Sequence, residues 1–133
     1  MIQFLFAFHG WGLLVLRVIL GVIMIKHGLP KLRHLEGTSE SFHGMGFRPA
    51  RFWALVAGAV EVFGGLLLLA GFFTQIAAFV IAVQFLVVIV FVNLRDGFSE
   101  WEYDLLILGS ALMLVVSGAG MYSVDEMFRF ILY

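Results

Sequence analysis

Four apolar stretches separated by polar joints run along the chain, near Trp11 to Leu29, Phe52 to Phe73, Thr74 to Leu94 and Trp101 to Gly120. A helix needs about 20 residues to cross ~30 Å of hydrocarbon, so each stretch predicts a membrane span. The whole predicts an all-α, membrane-embedded antiparallel four-helix bundle, a single domain over residues 1–133. The first span carries Arg17 inside its apolar run and has no charged segment ahead of it, which predicts a retained helix and not a signal peptide. Spans two and three are separated only by Gly71-Phe72-Phe73-Thr74-Gln75, a tight hairpin turn.

The longest polar stretch, Lys31 to Arg48, reads as a loop with a short helix from Ser39 to His43. Pro49 suits the first turn of the second span, where a missing N–H is harmless. After the fourth span, Ser123 and Glu126 have capping-box spacing, and Met127, Phe128, Phe130 and Ile131 give the following tail helix an apolar face for the interface or a neighbour. Lys26, Lys31, Arg33, Arg48, Arg51 and Arg95 flank the 1–2 and 3–4 connections, whereas Arg129 lies with the termini. This distribution predicts both termini outside. Trp11, Trp53 and Trp101 fall at span ends, where Trp prefers the headgroup boundary.

Composition agrees with a lipid environment: 62% of residues are hydrophobic and 13% charged, more apolar surface than a soluble domain of 133 residues could bury. A net charge of -1 leaves no basic excess for a nucleic-acid partner. With no Cys, the chain has no disulfide, thiol chemistry or Cys-held metal cluster of its own. His9 and His27 share a helix face but stand ~27 Å apart, too far to ligate one haem. No metal site and no intrinsic cofactor are expected, so redox chemistry requires a bound molecule or a partner.

The informative residues are polar groups inside the spans. Arg17 and Glu61 sit within the first and second, where a charge costs roughly 2.5 to 3.5 kcal/mol and faces the interior. Counted from Leu29 and Phe52 their depths differ by only ~5 Å, which predicts an Arg17–Glu61 ion pair. Helical spacing places Gly10, Arg17, Gly21, Met24, Gly28 and Lys31 on one stripe, and Gly58, Glu61 and Gly65 on another. Ala77, Gln84 and Phe91 line up on the third span, and Glu102, Leu106, Gly109, Met113 and Gly120 on the fourth. Converging stripes would leave an apolar interior bearing an Arg, a Glu and a Gln, suited to a flat, mostly apolar ligand; small-residue packing with satisfied polar groups explains the same pattern. A second cluster, Lys26, His27 and Lys31 with Glu102, Tyr103 and Asp104, sits at the predicted cytoplasmic end, where His27 and Glu102 could relay protons or Lys31 and Tyr103 bind a polar head. There Ser99-Glu100-Trp101-Glu102 also reads as a capping box, and Asp104 complements the helix dipole.

These motifs together resemble the DoxX family of small four-span membrane proteins. The resemblance runs from about Arg17 to Asp125 and rests on Arg17 and Gly21 leading to His27-Gly28-x-x-Lys31, on Glu61-x-x-Gly64-Gly65 with Leu69-x-Gly71, on Asn93-x-x-x-Gly97-Phe98 with Trp101-Glu102-Tyr103, and on Gly118-Ala119-Gly120-x-x-Ser123-x-Asp125. It implies a bacterial cytoplasmic-membrane subunit linked to an oxidoreductase system, some members being parts of a thiosulfate:quinone oxidoreductase. Family members often carry His where this chain has Asn93, and Gly-Pro-Gly where it has Gly118-Ala119-Gly120; Asn exchanges no proton at neutral pH.

Two functional readings follow. In the first, a quinone occupies the bundle near Arg17, Glu61 and Gln84: Arg17 steadies its carbonyl, Glu61 exchanges protons, the His27, Lys31, Glu102 and Tyr103 cluster assists, and a separate redox partner protein supplies electrons. In the second the chain is a non-enzymatic scaffold whose glycine faces pack on a larger membrane complex or on its own copies as a homo-oligomer, with membrane lipid around its 15 Phe. A carrier for a small organic acid has less support, because no span is broken or holds Pro.

Overall fold

In hydrocarbon every backbone N–H and C=O must be satisfied within the protein, so the long apolar runs become helices. The computed structural model describes residues 2–93, 101–120 and 122–128. Its elements are α1 (Ile2–Phe6), α2 (His9–Arg33), α3 (Leu35–Gly44), α4 (Ala50–Ala70), α5 (Thr74–Val88) with a π-helical turn (Ile89–Asn93), α6 (Trp101–Ser117) and α7 (Val124–Phe128). Among the described residues there is no strand. His9–Arg33, Ala50–Ala70 and Thr74–Val92 are each long and apolar enough to cross a membrane. Helix α2 lies along α4 and α5 along α6, with further contacts between α4 and α5 and between α2 and α6.

The first span is longer than expected, because α2 continues through Pro30 to Arg33. Lys31 is therefore a helix residue and not the start of a loop. Most of the polar stretch is helical too: α3 covers Leu35–Gly44 and packs on α4, where only a short helix from Ser39 was expected. Pro49 stands just ahead of α4 as its N-cap, and its carbonyl accepts from Trp53 N at 3.3 Å. The α4–α5 hairpin turns at Gly71 and Phe73, both at positive φ, and α6 ends before Gly118, also at positive φ. The Ser123 cap is present, with its Oγ accepting from Glu126 N at 3.2 Å. Leu94, Arg95, the Gly97-Phe98 motif, the Ser99 cap, Arg129, Phe130 and Ile131 lie outside the described residues.

Glycine sets the closeness of α2 to α4. A Cβ added at Gly21 would stand 2.8 Å from the Gly65 carbonyl, and one at Gly28 would stand 2.7 Å from Glu61 Cβ and 2.9 Å from the Gly58 carbonyl. The stripes read on these two helices are the buried ones: Gly10, Arg17, Gly21, Met24 and Gly28 on α2, and Gly58, Glu61, Gly64 and Gly65 on α4. The stripe expected on α6 is not the buried one. Glu102, Leu106, Gly109 and Met113 face outward, while Ile107, Ala111 and Leu114 are buried. On α5, Ala77 is buried and Gln84 partly so, but Phe91 is 54% exposed. Phe91 falls in the π turn, whose extra residue rotates the following face away from the helical stripe.

Candidate functional site: a buried carboxylate between three helices

Glu61, 1% exposed, receives donors from two neighbouring helices. Lys31 Nζ of α2 approaches its Oε1 to 2.5 Å, and Gln84 Nε2 of α5 donates to the same oxygen at 2.7 Å. Helix packing places all three: Gly28 lets α2 press against Glu61 Cβ and the Gly58 carbonyl, and Lys31 lies one turn further on, at a level it reaches because α2 continues past Pro30. The second carboxylate oxygen, Oε2, is buried without a hydrogen-bond partner. A carboxylate with one oxygen held by two donors and the other free retains a lone pair for a proton or an incoming donor. Lys31 leads outward, its side chain being 30% exposed. It also lines a cleft of about 410 Å³ at the α2–α3 corner with Pro30, His34, Thr38 and Ser41.

The expected Arg17–Glu61 ion pair does not form. Arg17, 1% exposed, donates instead from Nη1 to the Ala119 carbonyl at 3.0 Å and from Nη2 to the Tyr122 carbonyl at 2.6 Å, in the segment after α6. Register explains the difference. Because Gly21 faces Gly65 and Gly28 faces Gly58, the antiparallel register sets Arg17 opposite Gly71, whose added Cβ would stand 2.2 Å from Arg17 Nη1. At 1.5 Å per residue that is about 15 Å from Glu61. Counting depth from Leu29 and Phe52 takes those two residues as level, whereas the packing sets Gly28 against Gly58, six residues beyond Phe52.

Arg17 therefore belongs to a second polar cluster, for which Asp125 is the residue the sequence reading missed. Asp125 Oδ1 accepts from Phe73 N at 2.6 Å and Oδ2 from Thr74 N at 2.9 Å, capping α5 from the far end of the chain. Its own N–H donates to the Gly71 carbonyl at 2.9 Å, and its charge acts on Arg17. A signal existed: neither Phe72 nor Phe73 offers a side-chain acceptor ahead of α5, so its cap had to come from elsewhere.

The remaining expected residues divide. His27 and Tyr103 come together, with rings stacked at 5.4 Å and Tyr103 Oη 3.2 Å from His27 Nε2. Glu102 is exposed and lines a lipid-side groove of about 530 Å³ with Leu16, Leu105, Leu106, Gly109, Ser110 and Met113. No group of three His, Cys, Asp or Glu able to hold a metal occurs among the described residues.

The model of the family described as DoxX matches residues 12–94, more than half of the sequence and all of the Lys31–Glu61–Gln84 site. The chain belongs to the DoxX family. It is 35% identical over 86% of its length to a Bacillus subtilis protein named Putative oxidoreductase CatD, of which the match covers 84%. It is 32% identical over 87% of its length to Inner membrane protein YqjF of Escherichia coli, covering 91% of that protein. A Mycobacterium tuberculosis relative named Uncharacterized membrane protein Rv3486 is 27% identical over 86% of this chain and 80% of its own. No solved structure matches. Membership and the apolar helices make this a membrane protein.

Proposed function

We propose that this DoxX-family chain is the membrane component of a quinone-linked oxidoreductase system and binds a quinone, or a similar flat apolar molecule, between its helices. The observation that carries the reading is Glu61 Oε2, a buried acceptor without a partner beside Lys31 and Gln84. An unpaired oxygen at such a site favours a ligand that donates a hydrogen bond or brings a proton. Support also comes from the relative whose name describes an oxidoreductase.

In this reading the helices form a closed four-span bundle in the inner membrane, with both termini outside. A quinone supplies two-electron chemistry when bound, and electrons come from a partner protein. Glu61 holds or releases the proton at Oε2, Gln84 fixes the carboxylate by donating to Oε1, and Lys31 balances its charge. His27 and Tyr103 are proposed as a contact for the polar end of the ligand, together with the neighbouring Glu102. Arg17, held by the Ala119 and Tyr122 carbonyls, acts on the ligand only through the position of α2.

The scaffold reading needs glycine faces that a partner would cover. On α2 and α4 those glycines meet each other within the chain.

The test is mass spectrometry of lipids retained by the protein in native-lipid nanodiscs. Quinone should be enriched over bulk lipid in the wild type, depleted in Glu61→Gln and retained in Arg17→Gln. No enrichment in the wild type overturns the reading.

A further inference from the structure

The buried carboxylate has an aqueous approach on one side and an apolar barrier on the other. Towards α3, exposure rises in steps: Glu61 at 1%, its partner Lys31 at 30%, then the cleft lined by Lys31, His34, Thr38 and Ser41. Towards the termini, Leu20, Met24, Leu68, Ile81 and Leu114 pack at 0–3% exposure between Glu61 and the Arg17 cluster. Neither a side-chain hydrogen bond nor an ion pair crosses that layer among the described residues.

We infer that Glu61 exchanges protons only with the membrane face that bears α3, and that Lys31 carries them. The inference rests on the reading of Glu61 as the proton-exchanging group of the ligand site, and adds the side from which its proton comes. The step balances without a co-reactant. The Lys31 ammonium passes a proton to Glu61, leaving a neutral amine and a carboxylic acid, and the amine then takes a proton from water in the cleft. The net change is one proton taken from the α3 side and bound by Glu61; reversal returns it to the same side.

The charged and titratable groups around the carboxylate agree with this route. From α2 Lys31 faces it directly, whereas His27 is engaged with Tyr103. From α5 the facing group is the neutral Gln84. His34, between α2 and α3, lines the cleft beyond Lys31; on α3, which packs against α4, Glu36, Glu40 and His43 are exposed; and on α4 itself the nearest other charge is Arg51, ten residues away. Lys31 is thus the one charged group in contact with the carboxylate among the described residues, and it opens towards α3.

The experiment uses the full chain in sealed vesicles, oriented by a terminal tag accessible to protease from one side. A membrane-permeant carbodiimide adds to a carboxyl in its protonated form, so the rate of adduct formation at Glu61, followed by peptide mass spectrometry, reports its protonation. The pH is changed on each side separately. Where the carboxylate form predominates, the rate should fall about tenfold for each unit that the pH is raised on the α3 face, and should not respond to the other face. Lys31→Met should lose the response within the assay time, with Glu61→Gln as the adduct-free control. A rate that follows the other face, or both faces, or an absence of adduct in the wild type, overturns the inference. Quinone enrichment is measured separately, so a chain that retains quinone but fails here loses only the sided route, and one that shows the sided response without quinone loses only the ligand.

Discussion

Gly71 shows how much one residue carries here. Its φ is +70°, and the space where a side chain would begin is filled by the Arg17 guanidinium, 2.2 Å from an added Cβ. Gly71→Ala combines a left-handed backbone, at about 1–2 kcal/mol, with overpacking of about 1–3 kcal/mol. It should lower stability by about 2–5 kcal/mol, read as a drop in the thermal midpoint in detergent. A substitution at Gly12, where an added Cβ meets nothing within 4 Å, should leave the midpoint nearly unchanged. The sequence singled out Arg17 and Glu61 correctly as charges that must face inward, because lipid leaves them no other direction. Their partners were not legible: that needs the α2–α4 register, which is set by which glycines of the two helices meet and not by the ends of the apolar runs.

At the scale of elements, α2 and α4 are held by mutual small-residue contact, since lipid gives no hydrophobic drive for helices to associate. A Cβ at Gly65 would stand 2.7 Å from the Gly21 carbonyl and 3.1 Å from Ile25 N, both backbone atoms that cannot rotate aside. Gly65→Val should therefore part the pair, at a cost of about 1–3 kcal/mol from overpacking or more. Thermal unfolding should show it, and quinone retention should fall with it as Lys31 withdraws from Glu61. Gly109→Val, on the open side of α6, should alter neither. The faces of α2 and α4 could be read because glycine and charge mark them. That of α6 could not, because from Leu105 to Val116 the helix is apolar on every face apart from Ser110, and lipid accepts Leu106 and Met113 as readily as an interior does. Its small residue Gly109 faces outward, and Ala111 packs within.

Across the whole molecule, the polar groups form two layers, Lys31–Glu61–Gln84 near α3 and Arg17–Asp125 near the termini. The second layer ties three distant parts of the chain: α2 through Arg17, the α4–α5 turn through Gly71, Phe73 and Thr74, and the tail through Ala119, Tyr122 and Asp125. Breaking it should free the tail without touching the site. Asp125→Ala leaves the Phe73 and Thr74 N–H groups without their acceptor, at about 1–3 kcal/mol for each that remains buried. It also removes the charge that acts on Arg17. Limited proteolysis should then cut within residues 118–128 at protease levels that leave the wild type intact. The Lys31–Glu61 contact lies about 15 Å away behind the apolar layer, so quinone retention and the carbodiimide rate at Glu61 should keep their wild-type values. If the tail loosens and these also change, the two layers are coupled through α2; if they hold, the outer cluster is a structural clasp and the chemistry belongs to the layer beside α3.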